Sequence, residues 1–550
     1  MVMSDPVRRS LCESVDGSIL MGHMQELARW VKLSGTPDEL QSLRYFQAKL
    51  DEYGYRTRLI MHDAYISLPG KARVDVDNHT LTSITHSFSR SSPANGVTGR
   101  LVYVGDGDGA DFTGRDLRGA IVLTEGIASP GQAARASHAG AVGQVQISPH
   151  EHLHEMCISP VWGSPSGETQ SDMPTTVVCT VSNADGSALR DRLSRGEQPK
   201  VTLHAEVDTG WRQTPILEAE IGGPDADGPF ILYSGHHDTW YYGVMDNGAA
   251  NATMLEVARL TARERAKWRR GLRLCFWSGH SHGRYSGSTW YADQNWDELE
   301  RRCAVHVNVD STGGIGAVVL KNAAAAPELI ALAGDAIAEQ AGSEYAGKRM
   351  SRSSDQSFWG IGIPAMFGAL SEQPPAPVKM RNALGWWWHT PHDLLDKIDE
   401  KHLVRDTRVF VHTVWRLLTD PTLPLDFATH AHVLLEELGT LRSSLGSRYS
   451  VDGLIAAATT LREKAAAGGH SDAALMRASR ALAPAYYTSG DRFVHDPALP
   501  LPEWPVLDPL RKLAKVAPGT DSARFLAVSA TRGRNRLAHA LREATEALSG

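Results

Sequence analysis

His236, Asp238, Asp246, Asp310 and His389 are the residues of this 550-residue chain whose types and order suit a pair of divalent metal ions. His236 and Asp238 follow an apolar run, Phe230 to Ser234, that reads as a buried strand. In extended backbone residues two apart share a face, so Asp238 can lie beside His236. Tyr242-Gly243-Val244-Met245-Asp246-Asn247-Gly248 then leads into a helix, with Asp246 an acid in a tight turn, well placed to bridge. Val307-Asn308-Val309-Asp310 ends another strand on an acid, and Trp388-His389-Thr390-Pro391-His392-Asp393 offers a final histidine. Two ions about 3.5–4 Å apart need a bridging carboxylate and a mixed set of His and Asp/Glu ligands. Ligating histidines also need outer partners that fix their tautomer. Any one of these residues alone is weak, since a lone strand-end aspartate is usually a cap or a surface group.

Between them stands His280-Ser281-His282-Gly283-Arg284-Tyr285-Ser286-Gly287-Ser288, directly after Phe276-Trp277-Ser278-Gly279. Three chemistries fit it. His280 or His282 can be a metal ligand, since neutral imidazole is the commonest one, and the two share a face if the segment is extended. His280 can instead be a general base, with a reference pKa of about 6.5 that suits neutral pH. Or both are satisfied structural groups and one metal position goes unused.

The elements that must hold these residues alternate between 206 and 420. Phe230 to Ser234, Leu272 to Trp277, Ala304 to Asp310 and Pro364 to Gly368 are strand-like, while Ala250 to Glu264 and Pro327 to Gln340 have helical spacing. Alternation of this kind predicts an α/β fold with a mostly parallel sheet covered on both faces. Ligands bind outside the carboxyl ends of such strands, where the polar residues fall. Residues 16–60 read as helical, 85–205 as short strands with glycine-rich turns, and 421–550 as helical again, with a loop carrying Pro497, Pro500, Pro502, Pro505 and Pro509.

The bulk numbers narrow the function classes. With 42% hydrophobic and 22% charged residues the chain reads as an ordinary globular protein of two to four domains. A formal charge of -7 argues against nucleic acid. There is no apolar run of about 18 residues for a membrane span and no secretory signal at the start. The five scattered cysteines suggest reduced thiols. A cytoplasmic protein is expected.

The residues resemble the co-catalytic zinc aminopeptidase and glutamate carboxypeptidase family. Ser353-Ser354-Asp355-Gln356-Ser357-Phe358 and Gly362-Ile363-Pro364-Ala365 add to the match. The resemblance implies that His236 and Asp310 hold one metal and His389 the other, that Asp246 bridges, and that Asp238 is an orienting or catalytic acid. The family pattern has two adjacent glutamates, a general base and then a ligand of the metal that the last histidine also holds. Here His280 and Ser281 stand in their place. A positioned general base is worth about 10²–10⁴ in rate, so its loss weakens the hydrolysis that the family implies or changes its mechanism. Val102-Tyr103-Val104-Gly105, Phe112, Leu117 to Leu123, Ala139-Gly140-Ala141 and Met173 to Val178 resemble a protease-associated domain. The tail resembles the helical dimerisation domain of the transferrin-receptor and glutamate-carboxypeptidase group, which implies a homodimer.

The expected architecture is thus a catalytic domain over 206–420 with its N-terminal part at 1–84, an inserted β-rich module over 85–205 and a helical domain over 421–550. Expected site residues are His280 and Asp238 for catalysis, and His236, Asp246, Asp310, His389, His280 and His282 for one or two ions. Zinc is the default, and manganese, iron or nickel suit the same ligands. Arg381, Trp388 and Tyr242 are candidates for holding a peptide or small polar substrate. His150-Glu151-His152-Leu153-His154-Glu155 could reach over the site or be a plain polar surface segment. The expected activity is metal-dependent hydrolysis of a peptide or amide; the alternatives are a metal-dependent lyase and an inactive binding protein.

Overall fold

The computed structural model describes residues 5–376 and 383–550. Four strands form the parallel centre, in the order Ala365–Ala369, Cys303–Asp310, Phe230–His236 and Gly271–Trp277. Each is buried on both faces, as continuous apolar runs require. Ile231 and Tyr233 pack into the cluster with Met254, Leu255, Phe410 and Val414, whereas Phe230 and Leu232 pack with Tyr291, Leu299 and Trp277 on the opposite face. The period of two along one strand therefore serves two helical layers. Helices Ala250–Ala262 and Glu400–Thr419 cover one side, and Ser286–Gln294 and Trp296–Arg302 the other. The Glu400–Thr419 helix starts on Asp399, whose carboxylate accepts from the amides of Lys401 and His402.

One element departs from the expected helical start. Helices Gly17–Leu27 and Pro37–Glu52 form, but at Arg56 the chain enters a 21-residue strand, Arg56–Val76. It pairs antiparallel along its length with Lys200–Ile221. The ribbon is half exposed and has a register shift between Pro69 and Ala72, so neither hydrophobic alternation nor composition marks it as a strand. Lys200–Ile221 also pairs with Gly271–Trp277 and with Val97–Tyr103, and it runs unbroken across residue 205. Beyond it, Val97–Tyr103, Ile121–Glu125, Gly143–Ile147 and Val177–Val181 pair in parallel around a small apolar core of their own.

The tail is built of helices Phe427–Leu445, Asp452–Ala466, Asp472–Tyr487 and Asp521–Ala547. Among the described residues no helix is long and apolar enough to cross a membrane. All five cysteines are buried and unpaired.

Buried neutral histidines give the fold a pH dependence. His86 is fully buried, its Nδ1 accepts from the Met156 amide and its Nε2 donates to Thr180 Oγ1. Burial pushes its pKa down to about 3. Because the unfolded chain binds a proton near pH 6.5 and the folded one does not, this contribution is full above pH 6.5 and is lost as pH falls toward 3. At pH 5 the loss is roughly 2 kcal/mol. His86→Gln should therefore shrink the difference between urea-denaturation midpoints measured at pH 7 and pH 5. Equal differences in variant and parent would contradict this account.

Candidate metal centre

The parallel strands deliver His236 and Asp310 to adjacent carboxyl ends. Asn247 stitches these ends together. Its Nδ2 donates to the carbonyls of His236 and Val309, at 3.0 and 3.2 Å, and its Oδ1 accepts from the Ser311 amide at 2.9 Å. Asp246 is aimed by Asp393, whose two carboxylate oxygens accept from the amides of Met245 and Asp246 at 2.9 and 3.0 Å. Burial pushes the Asp393 carboxyl up to about 7 despite those bonds. Lys32, fully buried, donates to the carbonyls of Leu27, Trp30 and Tyr242 and so braces the preceding loop.

Asp246 lies between two imidazoles. His236 Nε2 is 3.1 Å from its Oδ1, and His389 Nε2 is 3.0 Å from its Oδ2. Asp310 Oδ1 is 3.7 Å from the same His236 nitrogen. The tautomers follow from the outer bonds. His236 Nδ1 donates to the Asp238 carbonyl at 2.8 Å, and His389 Nδ1 donates to the Glu155 carbonyl at 2.7 Å. Each neutral ring therefore turns an Nε2 lone pair toward a carboxylate oxygen. His236 Nε2 and Asp246 Oδ1 are both buried with no hydrogen-bond partner. Acceptors facing acceptors in a buried site call for a cation, so the residues fit a divalent ion. The same pull on positive charge shows in His236 when no ion stands between the groups: burial alone would lower its pKa, but Asp246 and Asp310 override it and hold it well above its ordinary value. Burial would likewise raise Asp246, and His236 and His389 hold it well below the usual carboxylate range.

His280 joins this group. A ligand atom each from His236, His280 and Asp310 lie within 4.8 Å of one another. The His280 ring stacks on His236, with centroids 3.7 Å apart and planes 13° apart. His282 is placed elsewhere. It is fully buried behind Asp238, with Nδ1 3.0 Å from Ser34 Oγ and its ring against Trp240. The Asp238 carboxylate comes only to 3.9 Å of His236 Nδ1 and makes its hydrogen bonds elsewhere. It accepts from the amides of His280 and Ser281, at 3.1 and 2.8 Å, and from Ser34 Oγ at 2.8 Å. Burial would raise its pKa, and the surrounding imidazoles of His282, His236 and His280 hold it well below the ordinary range.

A cavity of about 1440 Å³ opens over these residues, lined by Asp246, His280, Ser281, Asp310, Trp388 and His389. Arg284, Lys348, Arg349 and Arg352 face it from one wall, and Ala498 to Pro500 of the tail complete that side. Trp388 stacks on His389 at 3.4 Å. Tyr242 stands apart from the lining, 39% exposed. Arg381 lies outside the described residues. In the histidine-rich segment, His154 Nδ1 donates to the Trp388 carbonyl, His150 and His154 meet through their Nε2 atoms at 2.9 Å, and His150 Nδ1 accepts from the His152 amide. These bonds tie the 150–155 segment to the loop that carries His389. Non-glycine residues with positive φ gather on the site loops, among them Tyr241, Ser311, Ser354, Asp355 and His389. Such conformations persist where the surroundings enforce them, commonly at functional sites.

Sequence reasoning missed Asn247, Asp393 and Lys32, which touch no ion yet fix the ligands. For Asn247 and Asp393 the only signal is their proximity in sequence to Asp246 and His389; Lys32, remote from both, carries none.

Fold and site define a metallopeptidase-like hydrolase on an aminopeptidase scaffold. Residues 218–414 match the model described as Peptidase family M28. The chain is 22% identical to "Probable glutamate carboxypeptidase VP8" of Zea mays over 537 residues, covering 82% of this chain and 74% of that protein. The fold is similar to that of a Peptidase M28 precursor from Shewanella amazonensis, with a TM-score of 0.61 at 18% identity over 76% of this chain and 97% of that one. It is also similar to BSAP, a zinc aminopeptidase from Bacillus subtilis, with a TM-score of 0.56 at 18% identity over 74% and 95% of the two chains.

Proposed function

We propose that the chain is a zinc-dependent peptidase in which His236, Asp310, Asp246 and His280 surround one ion and His389 faces a second position across Asp246. The observation that carries this is the Asp246 carboxylate, with one oxygen toward His236 and the other toward His389, both rings fixed with their lone pairs inward. A bound divalent ion supplies Lewis-acid polarisation of the scissile carbonyl and of water.

The chain's own residues do the rest. Trp240 and Trp388 line the cavity over the centre, and Asp238 holds the 280–281 backbone in place. The cavity exceeds the 300–1,000 Å³ usual for small-molecule sites, which favours a peptide over a single small amide. Its Arg284, Arg349 and Arg352 wall favours a substrate bearing carboxylates. His282, bound to Ser34, has a supporting role in this reading. A homodimer through the tail also belongs to it, supported by the exposed Phe525 and Val528 one turn apart on the last helix. The five unpaired cysteines support a reducing compartment.

Purified protein should contain zinc by elemental analysis and should cleave acidic dipeptides and tripeptides. Cleavage should stop with a chelator, return with zinc, and incorporate one oxygen from isotopically labelled water. Protein without any divalent ion, whose properties chelator does not change, would overturn the proposal.

A further inference from the structure

The group that holds the His280 side chain lies outside the cluster of His236, His280 and Asp310 found among the described residues. Asp355 is buried, and its Oδ2 lies 2.6 Å from His280 Nδ1. The carboxylate is itself anchored: Oδ1 accepts from Ser288 Oγ at 2.8 Å. Ser288 Oγ meets Ser357 Oγ at 2.9 Å, and Ser357 accepts from Trp162 Nε1 at 2.9 Å. The chain of bonds thus runs from the inserted segment, through two hydroxyls, to the ring at position 280. Ser354 and Asp355 both have positive φ, 56° and 59°, so the backbone there is held in a conformation that surrounding bonds must enforce.

We propose that Asp355 is the positioning residue that makes His280 a metal ligand rather than a general base. The inference rests on the metal site proposed above. A carboxylate can only accept, so Nδ1 carries the proton and Nε2 the lone pair. The His280 ring stacks on His236, and one ligand atom each from His280, His236 and Asp310 falls within 4.8 Å of the others, so the ring lies within reach of the same ion. This is the carboxylate–histidine–metal arrangement by which proteins fix a ligand's tautomer and raise its basicity. Tyr285, edge-on to His280 at 4.9 Å, closes the other side of the ring. The substitution at 280 therefore comes with its own outer support, drawn from the Ser353–Phe358 loop.

The test is metal affinity in the full chain. Zn²⁺ binding is measured by chelator competition, and the visible spectrum of the Co²⁺-loaded protein reports the ligand set. Asp355→Asn is expected to weaken Zn²⁺ binding about 10- to 100-fold and to shift the Co²⁺ bands, because an amide can donate to Nδ1 and reverse the tautomer. His280→Ala should weaken binding at least as much, and it serves where Asp355→Asn does not fold. Ser288→Ala, which removes only the anchor, should lie between the parent and Asp355→Asn. Parent-like affinity and spectrum in either Asp355→Asn or His280→Ala overturn the inference, even where the rate falls, since that pattern marks a base. His236→Ala separates the two readings. If it binds Zn²⁺ as the parent does, the metal site itself is wrong; if it alone loses the ion, only the role of Asp355 and His280 fails.

Discussion

Asp246→Ala is expected to empty the centre and to lower peptide cleavage by at least about 10³-fold, because this one carboxylate faces both imidazoles. Loss of Lewis-acid stabilisation of several kcal/mol corresponds to three or more powers of ten in rate. The substitution also leaves His236 Nε2 and His389 Nε2 buried without an opposing charge. Asp246→Asn is the sharper variant. It keeps the shape and the backbone bonds to Asp393 while removing the charge, so a stable, metal-poor, inactive protein is the expected result. Circular dichroism and elemental analysis on the same preparation separate loss of the ion from loss of the fold. An Asp246→Asn protein that retains both ion and activity would falsify the assignment of this residue as the bridge.

Positions carried by strand ends were legible from the amino-acid order alone. His236 and Asp310 each close a short apolar run, and a parallel sheet brings such ends together whatever lies between them. Asp246 was legible as an acid in a turn entering a helix. What could not be read was the geometry of contacts far apart in sequence. Asp238 lies beside the His236 ring as the shared extended face predicts, but it is the carbonyl that accepts from the imidazole, while the carboxylate, 3.9 Å from the ring, accepts from the 280–281 amides. His280 and His282 look equivalent by spacing. The segment that carries them is a turn rather than extended backbone, so the two rings do not share a face: one reaches the cluster and the other packs behind it. Asp355 reads as an ordinary loop residue until the fold brings it 75 positions back to His280.

The 150–155 segment does more than line the cavity. The Glu155 carbonyl fixes the His389 tautomer, its amide donates to the His389 carbonyl at 3.1 Å, and the His150–His154 pair grips Trp388 one residue earlier. On the other side Arg349 and Arg352 donate to carbonyls of the 496–502 loop of the tail. Both attachments converge on the cavity rim, so the centre is assembled from three stretches of chain that are remote in sequence. That explains why no contiguous motif describes it.

Restoring the missing acid should reveal what the chain has altered. Ser281 lines the cavity beside Asp246 and His389, is 2% exposed, and its Oγ has no hydrogen-bond partner. A short neutral hydroxyl is a poor ligand beside carboxylate and imidazole. Ser281→Glu is therefore expected to raise bound zinc from about one to about two ions per chain, as two-ion sites need a full ligand set on each side. Its effect on rate should be small, because position 280 still offers no carboxylate base. Adding His280→Glu alone should not supply one. The new carboxyl would meet Asp355, which now sits 2.6 Å from the imidazole, and two buried carboxyls that close cannot both ionise. Only with Asp355→Asn as a third change does a glutamate at 280 become an available base, worth about 10²–10⁴ in rate. Initial rates, taken with Zn²⁺ in large excess to offset the ligand lost at 280, should thus rank the triple variant well above Ser281→Glu, with the double variant near Ser281→Glu. If double and triple variants hydrolyse peptides equally fast, Asp355 does not face position 280 in the working enzyme, and the co-adaptation of these two residues is wrong.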